Sequence, residues 1–236
     1  MDVAVGRVLA EGEMEVHGRI AGSSNATLLV TCALEGGELL AVYKPLRGER
    51  PLWDFPGGLY RREIAAYALS EALGWDLVPE TVYRADGPYG EGSIQRFVHE
   101  EGVDHYFTLR DDPTWHSTLR RLSAFDVVAN NADRKSGHVL LAENRLWAID
   151  NGLCFNEDDK LRTVIWDFGG EPFDEVTLAG LRALDSAGMP DALCDLLTPP
   201  ELAATADRIS WLLNLGCLPE LDEENGGWPP YPWPLI

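Results

Sequence analysis

Four charged side chains in this sequence have the types and the order needed to handle a phosphoryl group. Lys44 closes the apolar run AVYKP (41–45), and Glu63 lies in RREIAAY (61–67). A strand-end lysine can meet phosphate oxygens when an anion orients it, and a carboxylate in the first turn of the next helix can be that anion. Asp133 lies in the polar stretch NNADRKSGH (130–138), and Asp150 opens DNG (150–152). An acceptor hydroxyl needs one carboxylate to orient it and take its proton, while nucleotide-bound Mg²⁺ needs a hard oxygen ligand. Singly, each residue has a plainer reading. A strand-end lysine is usually solvated, and the helix dipole favours a first-turn glutamate in any case. Asp133 fits an Asx turn after a helix, and DNG fits a type I′ hairpin turn. In this order, around one strand–loop–helix connection, the four read together as a site.

Those residues need elements to hold them. EMEVHGRI (13–20), NATLLVTCAL (25–34) and LLAVYKP (39–45) alternate or run apolar between turn residues, which predicts a three-stranded antiparallel meander. The turn GRIAGSSNAT (18–27) can aim backbone amides and the hydroxyls of Ser23 and Ser24 at phosphate oxygens, although it lacks a GxGxxG pattern. After the Pro/Gly-rich loop 47–58, residues 61–74 recur at helical spacing and end at Gly74. Two further strands are expected at 77–84 and 92–98. The second half reads as helices at 115–131, 173–188, 190–197 and 199–216, with a hairpin VLLAENRLWAI (139–149) between the first two. The fold class is α+β in two lobes: a β-rich N-terminal lobe with one main helix (1–97) and a helical C-terminal lobe (98–216). The remaining 217–236 is acidic and then Pro- and Trp-rich, and reads as an extended tail that is either disordered or draped over a surface, with Trp228, Tyr231 and Trp233 able to cover an apolar face as a packed strap or to bind a partner.

The bulk composition narrows the partners. The 236-residue chain carries 39 Asp+Glu against 19 Lys+Arg, a net charge of −20. Such a field repels nucleic acid and anionic membranes, and pairs such as Arg61-Arg62 and Arg120-Arg121 are too small a basic footprint to reverse that. Neither partner is expected. Four scattered cysteines without a CxxC pair suggest buried free thiols. The absence of a basic–apolar leader or a long apolar run adds the expectation of a cytoplasmic protein.

VYKP (42–45), RREIAAYALSEALGWDLVPET (61–81), NNADRKSGH (130–138) and AIDNGLCF (148–155) together resemble the phosphatidylinositol 3/4-kinase-like family. The resemblance spans roughly residues 15–160 and points above all to the type II phosphatidylinositol 4-kinase branch and an actinobacterial group within the family. It implies a protein-kinase-like fold, ATP, and Mg²⁺ or Mn²⁺. By the same resemblance Lys44 meets the nucleotide phosphates, Glu63 is its ion-pair partner, and Ser23, Ser24 and Asn25 belong to the phosphate-covering loop. Gln95, Arg96 and Phe97 fall near the adenine hinge, Asp133 is the catalytic-loop aspartate with Arg134 beside it, and Asp150 is a metal ligand. His138 departs from the family's DRxxxN pattern. An imidazole can replace the asparagine as a ligand with a preference shifted from Mg²⁺ towards Mn²⁺ or Zn²⁺, can contact phosphate, or can mark lost catalysis.

The expected activity is transfer of the γ-phosphate of ATP to a hydroxyl of a cytoplasmic protein or small molecule. The alternatives are a catalytically silent nucleotide-binding pseudokinase or scaffold, and an AMP-transferring enzyme of the same fold.

Overall fold

A computed structural model describes residues 4–22, 25–100, 102, 104–221 and 231–235. The N-terminal lobe is a five-stranded antiparallel sheet in the order β1-β2-β3-β5-β4. Its strands are β1 (Glu13–Arg19), β2 (Leu28–Leu34), β3 (Gly37–Pro45), β4 (Thr81–Gly87) and β5 (Gly90–Arg96). A short helix before the sheet, α1 (Val5–Glu11), had no counterpart in the sequence reading. Its Val8 and Leu9 pack on Val30, Cys32, Ala41, Tyr43 and Ile94. This packing fixes the direction of the site lysine. Side chains alternate faces along a strand, so burying Tyr43 under α1 turns Lys44 to the opposite face.

That opposite face meets α2 (Leu59–Ala72). The helix starts two residues before the expected 61–74, because the left-handed Gly58 (φ +85°) precedes Leu59. Glu63 therefore sits one turn in, and the first-turn dipole cannot be what favours it. Two charged neighbours on α2 are buried for different reasons. Arg62 donates to the carbonyl of Cys154 at 2.9 Å and ion-pairs with Glu201, tying α2 to the C-terminal lobe, while Glu63 faces the cleft between lobes.

The C-terminal lobe contains α3 (Tyr106–Leu109), α4 (His116–Ala129), α5 (Glu175–Ala187), α6 (Asp191–Cys194) and α7 (Pro199–Leu215). Leu69 of α2, Leu119 and Phe125 of α4, and Ile209 and Leu212 of α7 share one core. Burial of side chains of this size stabilises by roughly 1.5–3 kcal/mol each. The hairpin lies at β6 (Val139–Ala142) and β7 (Arg145–Ala148). Its turn is Glu143–Asn144, both at positive φ, as a type I′ turn requires. DNG at 150–152 thus lies beyond the hairpin and does not close it. The Asx turn also belongs elsewhere: Asn131 Oδ1 accepts from the backbone N–H of Asp133 at 2.9 Å.

Two further expectations change. Cys32 and Cys154 are buried free thiols, but Cys194 is exposed and Cys217 half-buried. In the tail, Trp228 lies outside the described residues, Trp233 is 88% exposed, Tyr231 is also exposed, and the buried residue is Pro232. Among the described residues 231–235, Pro232 is the buried one.

Candidate active site

The site rests on a buried polar frame beneath the loop that follows α4. Asp126 interrupts an apolar helix face, SAFDVVA, and is fully buried. Its carboxylate accepts from Arg134 Nε at 3.0 Å, from Thr163 Oγ1 at 3.0 Å and from Asn131 Nδ2 at 3.3 Å. Arg134 spends its remaining donors on the Ile149 carbonyl at 2.8 Å and Asn151 Oδ1 at 2.6 Å. The backbone N–H of Asn151 in turn donates to Glu63 Oε2 at 3.0 Å. One continuous chain of bonds therefore runs from α4 through the 130–138 loop and the DNG segment to α2. It fixes the loop carrying Asp133 relative to the helix carrying Glu63.

Above this frame lies a cavity of about 710 Å³ lined by Asn25, Lys44, Glu63, Asp133, Lys135, His138 and Asp150, among others. Lys44 Nζ pairs with Glu63 and donates to Asp150 Oδ1 at 2.8 Å. Asp150 Oδ2 lies 3.4 Å from His138 Nε2, and Asp133 Oδ2 lies 3.2 Å from Lys135 Nζ. Asp150 adopts φ +57°, a left-handed conformation that aspartate tolerates better than most residues. The glycine two positions on is needed for space: a Cβ at Gly152 would stand 3.1 Å from Glu63 Oε1.

The cluster sets its own charge states. Burial alone would lower the Lys44 pKa, but Asp150 and Glu63 outweigh it and hold the ammonium above the ordinary lysine range. Lys44 holds the Asp150 carboxyl well below the usual carboxylate range, with burial opposing. Burial raises Glu63 while Lys44 pulls the other way, and burial likewise raises Asp133 against the pull of Lys135. Burial also depresses His138 to about 4, so its ring is neutral at physiological pH. The Lys135 backbone N–H approaches Nδ1 at 3.4 Å, which places the ring proton on Nε2, facing Asp150.

The remaining expected site residues are placed differently from one another. Ser23 and Ser24 lie outside the described residues, whereas Asn25 lines the cavity and its Oδ1 accepts from the Arg50 backbone at 2.9 Å. Gln95 is buried in β5 against Thr81 Oγ1 at 2.8 Å, and neither it nor Phe97 lines this cavity. Arg134 is fully buried and does not reach the cleft, so it holds the loop instead of touching reactants. Sequence reasoning missed Lys135, Asp126 and Asn151. A lone Asp within an apolar helix face, eight residues before an Arg, was the available signal for the Asp126–Arg134 pair.

Among the described residues no cluster of three or more His, Cys, Asp or Glu converges on a common point. Asp150 and His138 face each other in the cavity and could together offer one carboxylate oxygen and one imidazole nitrogen to a divalent ion, its remaining ligands coming from phosphate oxygens and water. Coordination through Nε2 would require the ring proton to sit on Nδ1, where it would weaken the Lys135 contact.

No protein-family model matches the chain. It is 39% identical to protein Rv2133c of Mycobacterium tuberculosis over 267 aligned positions, covering 97% of this chain and 94% of the relative. This chain belongs to the Rv2133c family. A shorter similarity, 30% over 103 positions, joins it to phosphatidylinositol 4-kinase gamma 3 of Arabidopsis thaliana and covers 40% of this chain and 18% of the plant protein. Among solved structures, the Helicobacter pylori proinflammatory kinase CtkA superposes with a TM-score of 0.53 at 14% identity over 89% of this chain and 94% of that one. Hydra Fam20, solved with sugar, gives 0.50 at 15% identity over 88% and 86%. At such identities the likeness bears on fold, and the fold is two-lobed and kinase-like. No helix among the described residues is long and apolar enough to cross a membrane.

Proposed function

We propose that this Rv2133c-family chain is an ATP-dependent phosphotransferase allied to the type II phosphatidylinositol 4-kinase branch. In this reading residues 1–97 form the nucleotide-binding lobe and 98–216 the catalytic lobe, with ATP and Mg²⁺ or Mn²⁺ bound between them. The observation that carries it is the Lys44 ammonium held between Glu63 and Asp150 in the same cavity as Asp133. Lys44, already charged and aimed, binds phosphate oxygens, with Asn25 at the covering loop. Asp133 orients the acceptor hydroxyl and takes its proton as the acceptor oxygen bonds to the γ-phosphorus. The bond from that phosphorus to the β–γ bridging oxygen breaks, and ADP leaves. The upward shift of Asp133 makes it a stronger proton acceptor than a solvated aspartate. A divalent ion on Asp150 and His138 would neutralise charge on the phosphates. Burial in the frame makes Arg134 a positioning residue.

The test is incubation with γ- and α-labelled ATP and either metal. The expected result is γ-label transfer or ATP hydrolysis that falls by about 10²–10⁴ in Asp133→Ala. Asp150→Asn is expected to remove metal-dependent nucleotide binding. Transfer of the α-label would instead support AMP transfer, and nucleotide binding without turnover would support a silent scaffold.

A further inference from the structure

The last described residues return to the cleft. The Leu235 carbonyl accepts the backbone N–H of Ser136 at 2.8 Å, and Ser136 is fully buried between Asp133 and His138 in the loop. Pro232 is buried, Pro234 forms part of the cavity wall, and Trp233 points its ring to solvent at 88% exposure. A chain segment thus lies along the same short loop that carries the proton-accepting carboxylate.

We propose that residues 231–235 form a specificity strap that limits the acceptor to a small hydroxyl compound. The inference rests on the phosphotransferase reading and assigns its acceptor. An extended polypeptide that brings a Ser or Thr hydroxyl to Asp133 must run past the 133–138 loop. It would register there through main-chain hydrogen bonds, as peptides do on exposed backbone. The strap already holds the Ser136 N–H. Pro234 has no N–H of its own, so it offers an incoming backbone no donor on that wall. The cleft volume, about 710 Å³, matches the scale of small-molecule sites. A compact polyol or similar metabolite needs neither the loop amide nor the space beyond the strap.

The experiment compares the full chain with a chain ending at Pro230. Hydrogen exchange at the Ser136 amide tests the strap without needing activity. Loss of one such hydrogen bond predicts about tenfold faster exchange in the shortened chain, with α4 amides unchanged. Equal exchange overturns the strap. In parallel, γ-labelled ATP is offered with glycerol or inositol and with casein as a polypeptide acceptor. The ratio of casein to small-acceptor labelling should rise about tenfold on shortening and by less in Pro234→Gly. A ratio that stays constant while turnover persists overturns the acceptor assignment, as does preferential casein labelling by the full chain. Absence of calorimetric ATP binding by either chain defeats the phosphotransferase reading itself, and the acceptor assignment with it. The two failures are thereby distinguished.

Discussion

The same kinds of charged residue occupy two adjoining layers of the cleft and are treated in opposite ways. Below the loop, Asp126 and Arg134 are both fully buried, and their hydrogen-bonding capacity goes to each other, to Asn131, Thr163 and Asn151, and to a backbone carbonyl. Above it, Asp150 is half exposed, Lys44 remains 20% exposed, and the contact between His138 and Asp150 is long at 3.4 Å. The lower layer has spent its charge on itself and is a frame. The upper layer keeps charge that a ligand can take over. Burial and saturation of partners, more than residue type, separate positioning groups from binding groups.

The sharpest way to break this contrast is Arg134→Met. It leaves Asp126 buried without its counter-charge, which typically costs about 3–5 kcal/mol. A urea titration should show that loss, with the midpoint falling and the slope unchanged. Asp150→Asn in the layer above should move the midpoint less, because Lys44 keeps Glu63 as its counter-charge and position 150 is half exposed. Comparable losses at the two positions would erase the distinction between frame and binding layer.

A smaller effect separates the layers by pH. In the unfolded chain His138 takes up its proton near pH 6.5, whereas in the fold it does so only near 4. Between those values the unfolded state binds more protons, so stability rises with pH from about 4 to about 6.5 and is level above. A shift of that size corresponds to ~3 kcal/mol across the window. His138→Asn should remove this slope from a series of thermal melts between pH 4 and 7. A slope that survives the substitution places its source in other groups.

The parts of this molecule that were legible in the sequence are those set by local pattern. Strand alternation around Tyr43–Lys44, the proline start and glycine end of α7, and the hairpin over VLLAENRLWAI all follow from near neighbours. So does the order Lys44, Glu63, Asp133, Asp150, which the fold gathers into one cavity. What was not legible depends on distant partners. Apart from a lone Asp on an apolar helix face eight residues upstream, nothing near Arg134 in the sequence says that its guanidinium turns inward. Nothing near Gln95 says that its amide is taken up by Thr81 across the β4–β5 pair. The role of Pro234 was hidden for the same reason, since it depends on a loop about a hundred residues earlier.

Glu49 illustrates the same dependence on a smaller energy scale and gives the finest test. It lies in the loop after β3, where the sequence reads only as a Pro/Gly-rich connection. Its two carboxylate oxygens accept the backbone N–H groups of Gly58 and Tyr60 at 2.8 Å each. A helix leaves its first N–H groups without internal partners, and α2 begins after a glycine that has no side chain to cap them. Glu49 supplies the missing acceptors from nine residues away and brings negative charge to the positive end of the helix dipole. It thereby fixes both the start of α2 and the loop wall of the cavity. Glu49→Ala should cost about 1 kcal/mol, the usual value of a lost cap, and Glu49→Gln, which keeps one acceptor oxygen, less. Hydrogen exchange should quicken at Gly58 and Tyr60 in Glu49→Ala while the Asn151 amide, anchored on Glu63, stays protected. If the Asn151 amide also quickens, α2 and the DNG segment move as one body, and the frame reaches farther into the N-terminal lobe than its own hydrogen bonds indicate.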